Sequence, residues 1–382
     1  MKEERSDFSA AANPFAERLD DLAKAVRRRR LDAMLVFGEA NIRSLTGLVC
    51  DNGCLVVRPG AADATAFITD FRYVPMAHRV APWLRTVEPK KGQGLAGTAA
   101  DILKKAGVKV ARLGFERAIS AGLYLKLQTL FRGAKLVEAE DEVLNLRAVK
   151  TVDEITRLAA AEALNDAIWR DAQKDFRAGM TEKDAYGIVA EAVDRVCGVE
   201  PHEFIGDFVG GARSGSIEGP ATDYAFKVGD AFILDLSVRR GEVWSDTCRT
   251  FFLGEPTPRQ REAYAAVLAC QDEGVRRVRA GVVASSVRPP MLAVLEARGF
   301  GGKMPHHGGH LVGPKPYMKP AFEEGCDDLI QEGDICTLEP GVYFEGEWGM
   351  RVENDYLVTA DGAENLFDYP REMEHFTIGG DR

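Results

Sequence analysis

Long apolar runs are missing from this 382-residue chain, and a membrane-spanning helix needs roughly 20 consecutive apolar residues. No membrane partner is expected. The opening residues, Met1-Lys-Glu-Glu-Arg-Ser-Asp7, lack the apolar stretch of a secretory signal, so a cytoplasmic protein is expected. Cysteine is sparse and unpaired. The chain has 7, an odd number with only Cys50 and Cys54 close together, which predicts reduced thiols and excludes a disulfide scaffold. Excess positive charge is absent as well: the net charge of −10 argues against nucleic acid or an anionic membrane as the main partner. One basic block, Arg27 to Arg30, has no second cluster beside it and reads as the end of a surface helix.

With 46% hydrophobic residues, the chain is long enough for two domains. From about residue 15 to 148, helical stretches alternate with short apolar runs such as Met34-Leu-Val-Phe37, Cys54-Leu-Val-Val57 and Val108-Lys-Val-Ala111, which predicts an α/β layer domain over 1–148. The boundary falls near Leu146 to Lys150. There Thr151 and Glu154 form a capping-box pattern opening an amphipathic helix through Ile155, Leu158, Ala161, Leu164 and Ile168. Another helix follows Thr181 and stops before Gly198. A third opens at Thr257-Pro258 and runs to near Gly281, and a fourth covers Met291 to Arg298. Each helix pair precedes an acidic hairpin, so 149–382 reads as an internal repeat that predicts a curved sheet with pseudo-twofold symmetry.

The hairpins carry the chemistry. Gly229-Asp230 is followed after three residues by Leu234-Asp235, and Gly333-Asp334 after three residues by Leu338-Glu339. Asp246 follows Asp235 across Arg240-Gly241, and Glu353 follows Glu339 across Gly346 to Gly349. Folding about those glycines predicts Asp235 opposite Asp246 and Glu339 opposite Glu353. Acids are depleted in strand interiors, and opposed like charges repel, so four converging carboxylates imply cations between them. Histidine is scarce at 6, yet three fall within Met304-Pro-His306-His307-Gly-Gly-His310-Leu-Val-Gly313. One imidazole and four carboxylates form an oxygen-rich set suited to Mn, Co, Fe or Zn. The pattern predicts a two-metal hydrolytic centre.

These segments resemble the pita-bread metallohydrolases, the family of aminopeptidase P, prolidase, methionine aminopeptidase and the metal-free creatinases. The resemblance covers most of the chain and rests on an ordered series: Leu234-Asp235, Ser245-Asp246-Thr-Cys-Arg249-Thr250, His306 to Gly313, Leu338-Glu339-Pro340-Gly341-Val-Tyr343, and Gly349-Met-Arg351-Val-Glu353. It implies a creatinase-like amino-terminal α/β domain, followed by an α+β pita-bread catalytic domain over 149–382. It further implies that Asp235 chelates one of two divalent ions, His310 and Glu339 the other, and that Asp246 and Glu353 bridge both around a shared hydroxide. Glu339 is then the proton shuttle. A homodimer is expected, because the family often builds its dimer contact from the amino-terminal domain.

Two places depart from the peptidase pattern. Glu218 stands where peptidases usually place a histidine before Thr222-Asp223, and Tyr317-Met318 stands where they show His-Glu. His306 or Tyr317 could donate to the oxyanion, although His306, His307 and Tyr317 read equally as buttresses of the ligating histidine. Glu218 is either a solvated loop acid or a recognition group for a cationic substrate. Arg213 and Arg351 are either a carboxylate clamp or structural ion pairs. The leading expectation is an Xaa-Pro peptidase of the aminopeptidase P or prolidase type acting on short peptides. The alternative is a relative cleaving a small metabolite, as a creatinase-like or ectoine-hydrolase-like C–N hydrolase or a lyase, and a catalytically inactive binding module stands third.

Overall fold

The computed structural model describes residues 13–59, 65–148, 152–198, 202–217, 219–240 and 243–379. Glu218, the Thr151 capping box and the Gly241 turn lie outside them. The chain divides into two compact units, Met1–Ala148 and Val149–Arg382.

In the first unit the apolar runs form β1 (Ala33–Val36), β2 (Gly53–Val57) and β3 (Ala66–Thr69), joined by β4 (Arg85–Val87), β5 (Arg112–Phe115) and β6 (Lys135–Glu138). They make one mixed sheet in the order β4-β3-β2-β1-β5-β6. Helices α1 (Pro14–Arg28), α2 (Glu39–Thr46), α3 (Val74–Val80), α4 (Gly94–Lys105), α5 (Ala121–Leu130) and α6 (Glu140–Ala148) alternate with the strands. Met34, Val36, Leu55 and Phe67 pack against Leu19, Leu22 and Val26 of α1, while Ala33, Leu35, Val56 and Ile68 pack against Ala99 and Leu103 of α4. Both faces of the sheet are covered, which is why its central strands read as continuous apolar runs. Val108–Ala111 is not a strand. The strand begins at Arg112, where the Asp32 carboxylate accepts the Ala111 and Arg112 backbone N–H groups.

The second unit opens with α7 (Val152–Ala172) and α8 (Glu182–Cys197), the latter closed at its start by a Thr181/Asp184 capping box. Strands β7 (His202–Ile205), β8 (Phe208–Gly210), β9 (Ala231–Arg240) and β10 (Val243–Leu253) follow. The order then repeats with α9 (Pro258–Arg277), α10 (Arg288–Ala297), β11 (His310–Leu311), β12 (Met318–Ala321), β13 (Ile335–Leu338), β14 (Gly341–Phe344), β15 (Trp348–Arg351) and β16 (Asn354–Val358), and β17 (Ala363–Asn365) and β18 (Thr377–Ile378) close the chain. Helix α9 ends at Arg277 rather than near Gly281, because Val278 turns extended.

Two five-stranded sheets result, β18-β10-β9-β7 with β8 beside β9, and β12-β11-β13-β16-β17. They meet where Cys248 and Glu353 exchange two backbone hydrogen bonds, of 3.3 and 3.0 Å. The junction lies between the two halves of the repeat, with an acid on or beside it from each half. This is the pita-bread architecture, with its helix-helix-hairpin halves related by a pseudo-twofold. Among the described residues, no helix is long and apolar enough to cross a membrane.

Candidate metal centre

Register decides which acids meet. Strands β9 and β10 pair from Arg240↔Val243 to Ala231↔Phe252, so Asp235 faces Cys248 and Asp246 faces Ser237. The expected Asp235–Asp246 opposition is therefore two residues out. Because the offset is even, both side chains still emerge on one face, as diagonal neighbours rather than as an opposed pair. In the other half, Leu338↔Asn354 and Gly341↔Arg351 lie on either side of a break, and Val352 N–H donates to the Pro340 carbonyl at 3.2 Å. Glu339 and Glu353 occupy that break in the same pairing frame.

Glycines bring the backbone close. A Cβ on Gly309, whose φ is +151°, would lie 2.1 Å from the Thr337 carbonyl oxygen, and one on Gly206 equally close to that of Asp235. Only glycine permits either approach. An open pocket of about 390 Å³ results, lined by Ile205, Gly206, Asp207, Ile217, Asp235, Ser237, Asp246, His306, His307, His310, Glu339, Arg351 and Glu353.

The imidazole of His310 carries the strongest chemical signal. Its Nδ1 faces the Leu311 carbonyl at 3.1 Å and so must hold the proton, leaving Nε2 as a bare lone pair. That lone pair sits 3.7 Å from Asp246 Oδ2 and 3.6 Å from Glu339 Oε1. Burial lowers the affinity of His310 for a second proton. A buried oxygen of Glu353 makes no hydrogen bond, and Glu339 Oε1 is met by His307 Nδ1 at 2.8 Å. Lone pairs converging without protons repel, and a cation relieves them. The donor set fits divalent ions.

Charge around the carboxylates is uneven. Burial, then repulsion from Asp235, pushes the Asp246 carboxyl well above its ordinary range, and burial followed by repulsion from Asp246 does the same to Glu353. Burial also opposes ionisation of Glu339, yet the imidazoles of His307, His310 and His306 outweigh it and hold that carboxyl at about 2. Asp235 is bound by Arg351, whose Nε and Nη2 donate to Oδ2 at 3.0 and 2.7 Å. The same guanidinium reaches Asp207 at 3.1 Å, the Ile217 carbonyl at 3.0 Å and the Tyr343 hydroxyl at 3.0 Å. Arg351 is thus an ion-pair hub at the pocket wall, the arrangement that one of its two expected readings describes.

His306 is also committed. Its Nδ1 donates to the His307 carbonyl at 2.8 Å, so its Nε2 accepts from the Tyr343 hydroxyl 3.0 Å away, and burial keeps it neutral with a pKa of about 4. With its donor spent on the backbone, His306 is not an oxyanion donor in this arrangement. Arg213 does not line the pocket: it pairs with the buried Glu182, which also accepts from Thr222. Tyr317, 43% exposed, lays its ring against His310 and His307 at centroid distances of 4.7 and 5.6 Å.

Sequence reasoning missed Asp207, Ser237, Asp355 and Glu162. Ser237 Oγ donates to Asp246 at 2.7 Å, and the Asp246 N–H donates to Asp355 at 2.8 Å. Glu162 lies wholly buried on α7 against Asp355, and burial raises it to about 7. Its signal was an acid inside the apolar stripe that includes Leu158, Ala161 and Ile168.

Fold and pocket together define a two-domain pita-bread hydrolase. Residues 156–360 match the description Metallopeptidase family M24, and residues 18–149 match Creatinase/Prolidase N-terminal domain. The chain belongs to metallopeptidase family M24. It is 28% identical over 357 residues to the uncharacterized peptidase YqhT of Bacillus subtilis, covering 93% of this chain and 99% of that protein. It is 26% identical to an Xaa-Pro dipeptidase of Pyrococcus furiosus, covering 94% and 99%. Among solved structures, an Xaa-Pro dipeptidase from Bacillus anthracis superposes with a TM-score of 0.87 at 26% identity, covering 95% of this chain and all of that one.

Proposed function

We propose that this metallopeptidase is an Xaa-Pro peptidase of the prolidase or aminopeptidase P type, holding two divalent cations through Asp235, Asp246, His310, Glu339 and Glu353. The observation that carries the cation reading is the His310 Nε2 lone pair, fixed by the Leu311 carbonyl and aimed between Asp246 and Glu339. The substrate class rests on the relatives named Xaa-Pro dipeptidase, which match nearly the full length of the chain. Bound cations drawn from Mn, Co, Fe and Zn would lower the pKa of water and polarise the scissile carbonyl.

The remaining work falls to the chain. Glu339, kept ionised by its imidazole neighbours, takes the proton of the attacking water and returns it to the leaving nitrogen. Arg351 and Tyr343 hold Asp235 and His306 in fixed orientations. Asp207 balances the Arg351 charge at the pocket wall. A cytoplasmic homodimer belongs to the same reading, and light scattering of the purified protein tests the assembly.

A second reading, cleavage of a C–N bond in a small metabolite, is favoured by Tyr317 and Met318. The first is an exposed ring tilted against His310, and the second is buried in β12; neither supplies an imidazole beside the ligands. The test is metal content of the purified protein together with Mn-dependent release of amino acids from proline-containing di- and tripeptides. Two ions per chain with turnover support the peptidase. Two ions without turnover shift the assignment to small amides, and no stoichiometric metal defeats both readings.

A further inference from the structure

We propose that Arg249 is a positioning residue for the metal centre: from the face of β10 turned away from the pocket, its guanidinium clamps the Cys248–Glu353 junction and so fixes where the Glu353 carboxylate points. The proposal rests on the two-cation reading above, because Glu353 is one of the expected ligands.

The junction is slight for its place in the fold. The two sheets join there through an isolated pair, Cys248 N–H donating to the Glu353 carbonyl at 3.3 Å and Glu353 N–H to the Cys248 carbonyl at 3.0 Å. Two residues along, the Thr250 hydroxyl takes the place of a backbone pair, donating to the Arg351 carbonyl and accepting the Arg351 N–H, each at 2.9 Å. Arg249 reinforces the pair directly. Its Nη1 donates to both carbonyls, Cys248 and Glu353, at 2.8 Å each, while Nε reaches the Pro370 carbonyl at 2.7 Å and Nη2 that of Tyr369 at 2.9 Å. One planar fork ties β10, the residue ahead of β16 and the segment leading to β18.

Side chains alternate along a strand, so Arg249 leaves β10 on the face opposite to Asp246 and Cys248. There it is wholly buried, with Cζ 4.9 Å from the ring centroid of Phe367 and 5.9 and 6.0 Å from those of Tyr369 and Phe376. Among the described residues no carboxylate pairs with it; carbonyl dipoles and ring faces meet its charge instead. Burying a cation without a counter-ion is a poor way to fill a core, since an apolar residue of similar volume avoids the desolvation cost. What an apolar residue cannot do is hold four carbonyls from three segments. With the N–H and carbonyl of Glu353 both held, its carboxylate is aimed by rotation about its own side-chain bonds alone, and Asp246, two residues before Cys248, is held in register with it.

Two variants test this in the full-length chain. Arg249→Lys keeps the charge but replaces the fork with a point donor, and Arg249→Met roughly keeps the packing without either. In both, the affinity for the more weakly held of two Mn(II) ions, measured by calorimetric titration of metal-free protein, should fall by about 10–100-fold, as for other groups that orient a ligand. Folded variants that melt earlier yet bind both ions as tightly as wild type overturn the proposal, because the guanidinium would then serve stability alone. Hydrogen exchange of metal-free wild-type protein tests the clamp without a variant or a cation. The Cys248 and Glu353 amides should exchange as slowly as those of the β9–β10 ladder, since neither opens without breaking the fork; exchange about tenfold or more faster than the ladder overturns the proposal even where both variants misfold. Wild-type protein that takes up fewer than two ions defeats the cation reading instead, and the exchange rates still decide the clamp.

Discussion

The two acidic hairpins descend from one pattern but are built differently. Strands β9 and β10 run through ten uninterrupted pairs, and their acids are held by protein: Asp235 by the Arg351 guanidinium, Asp246 by a Ser237 hydroxyl that leaves its charge unmatched. The β13–β16 hairpin breaks where its acids stand: Glu339 is met by His307 at 2.8 Å, and Glu353 keeps a buried oxygen with no hydrogen bond. A broken ladder leaves carboxylates free to turn toward a ligand, at a cost in stability that the ligand must offset. Asp235 thus keeps its charge balance without metal, whereas Asp246 and Glu353, one on each hairpin, are the acids left in need of a cation.

Breaking that division has its largest effect at Asp246, which sits on the unbroken hairpin yet points at His310 of the other half. Asp246→Asn should abolish stoichiometric metal binding and lower turnover by at least about 10³-fold while the fold survives, since a neutral amide cannot balance two cations. Metal analysis and circular dichroism check it, and an active variant would exclude the two-cation centre. Arg351→Met strikes the other side. Removing the guanidinium that links Asp207 and Asp235 strands two partly buried carboxylates, a loss of about 1–3 kcal/mol in the metal-free protein by denaturant titration. Saturating metal should restore part of it by taking over Asp235. A variant as stable as wild type would mean that the unbroken hairpin does not depend on Arg351.

These differences explain what was legible in the sequence. Acids alternating with apolar residues in two Gly-Asp segments were enough to name the four candidate carboxylate ligands, because the strand period places them on one face whatever the even offset, and the histidine-rich turn supplied His310. The register of β9 and β10 was not legible, since moving the turn by one residue shifts the pair sum by two. Glu339 and Glu353 came out in frame, although the break beside them left no mark in the pattern. Long-range partners were invisible for a plainer reason: Arg351 meets Asp235 across 116 residues and Asp207 across 144, and no local periodicity links them. The tautomer of His310 depends on a backbone carbonyl that only the folded turn supplies.

A smaller effect should appear with pH. Asp207 stands at about 6 against an ordinary 3.8, raised by burial and then by Asp235, and Glu162 at about 7 against 4.5, raised by burial. In the folded state both hold protons that the unfolded chain has released. Their stabilisation is complete below about pH 4 and is lost as pH rises through 6 to 7. Asp246 and Glu353 act in the same direction. Glu339 acts oppositely, its contribution present above 4.5 and lost only as pH falls toward 2. The melting temperature of metal-free protein should therefore fall between pH 5 and 8, and saturating Mn(II) should flatten the profile. Parallel curves with and without metal would mean that cations do not replace those protons.

The smallest effect is expected at Tyr317, where the contacts are made by the ring and not by the hydroxyl. The side chain is 43% exposed, and its ring rests on His310 and His307. Oxyanion donors draw their effect from a water-excluded, preorganised site, where losing one costs roughly 10²–10³-fold in kcat. An exposed hydroxyl competes with water and lacks that advantage. Tyr317→Phe should accordingly keep kcat within about threefold of wild type, whereas Tyr317→Ala, which removes the restraint on both imidazoles, should weaken metal binding without altering the pH profile. Steady-state kinetics with a metal titration separate the two variants. A hundredfold loss in Tyr317→Phe would move the phenol from a packing ring to a donor in the reaction itself, and the imidazole-rich side of the pocket would then hold both the cation and the oxyanion site.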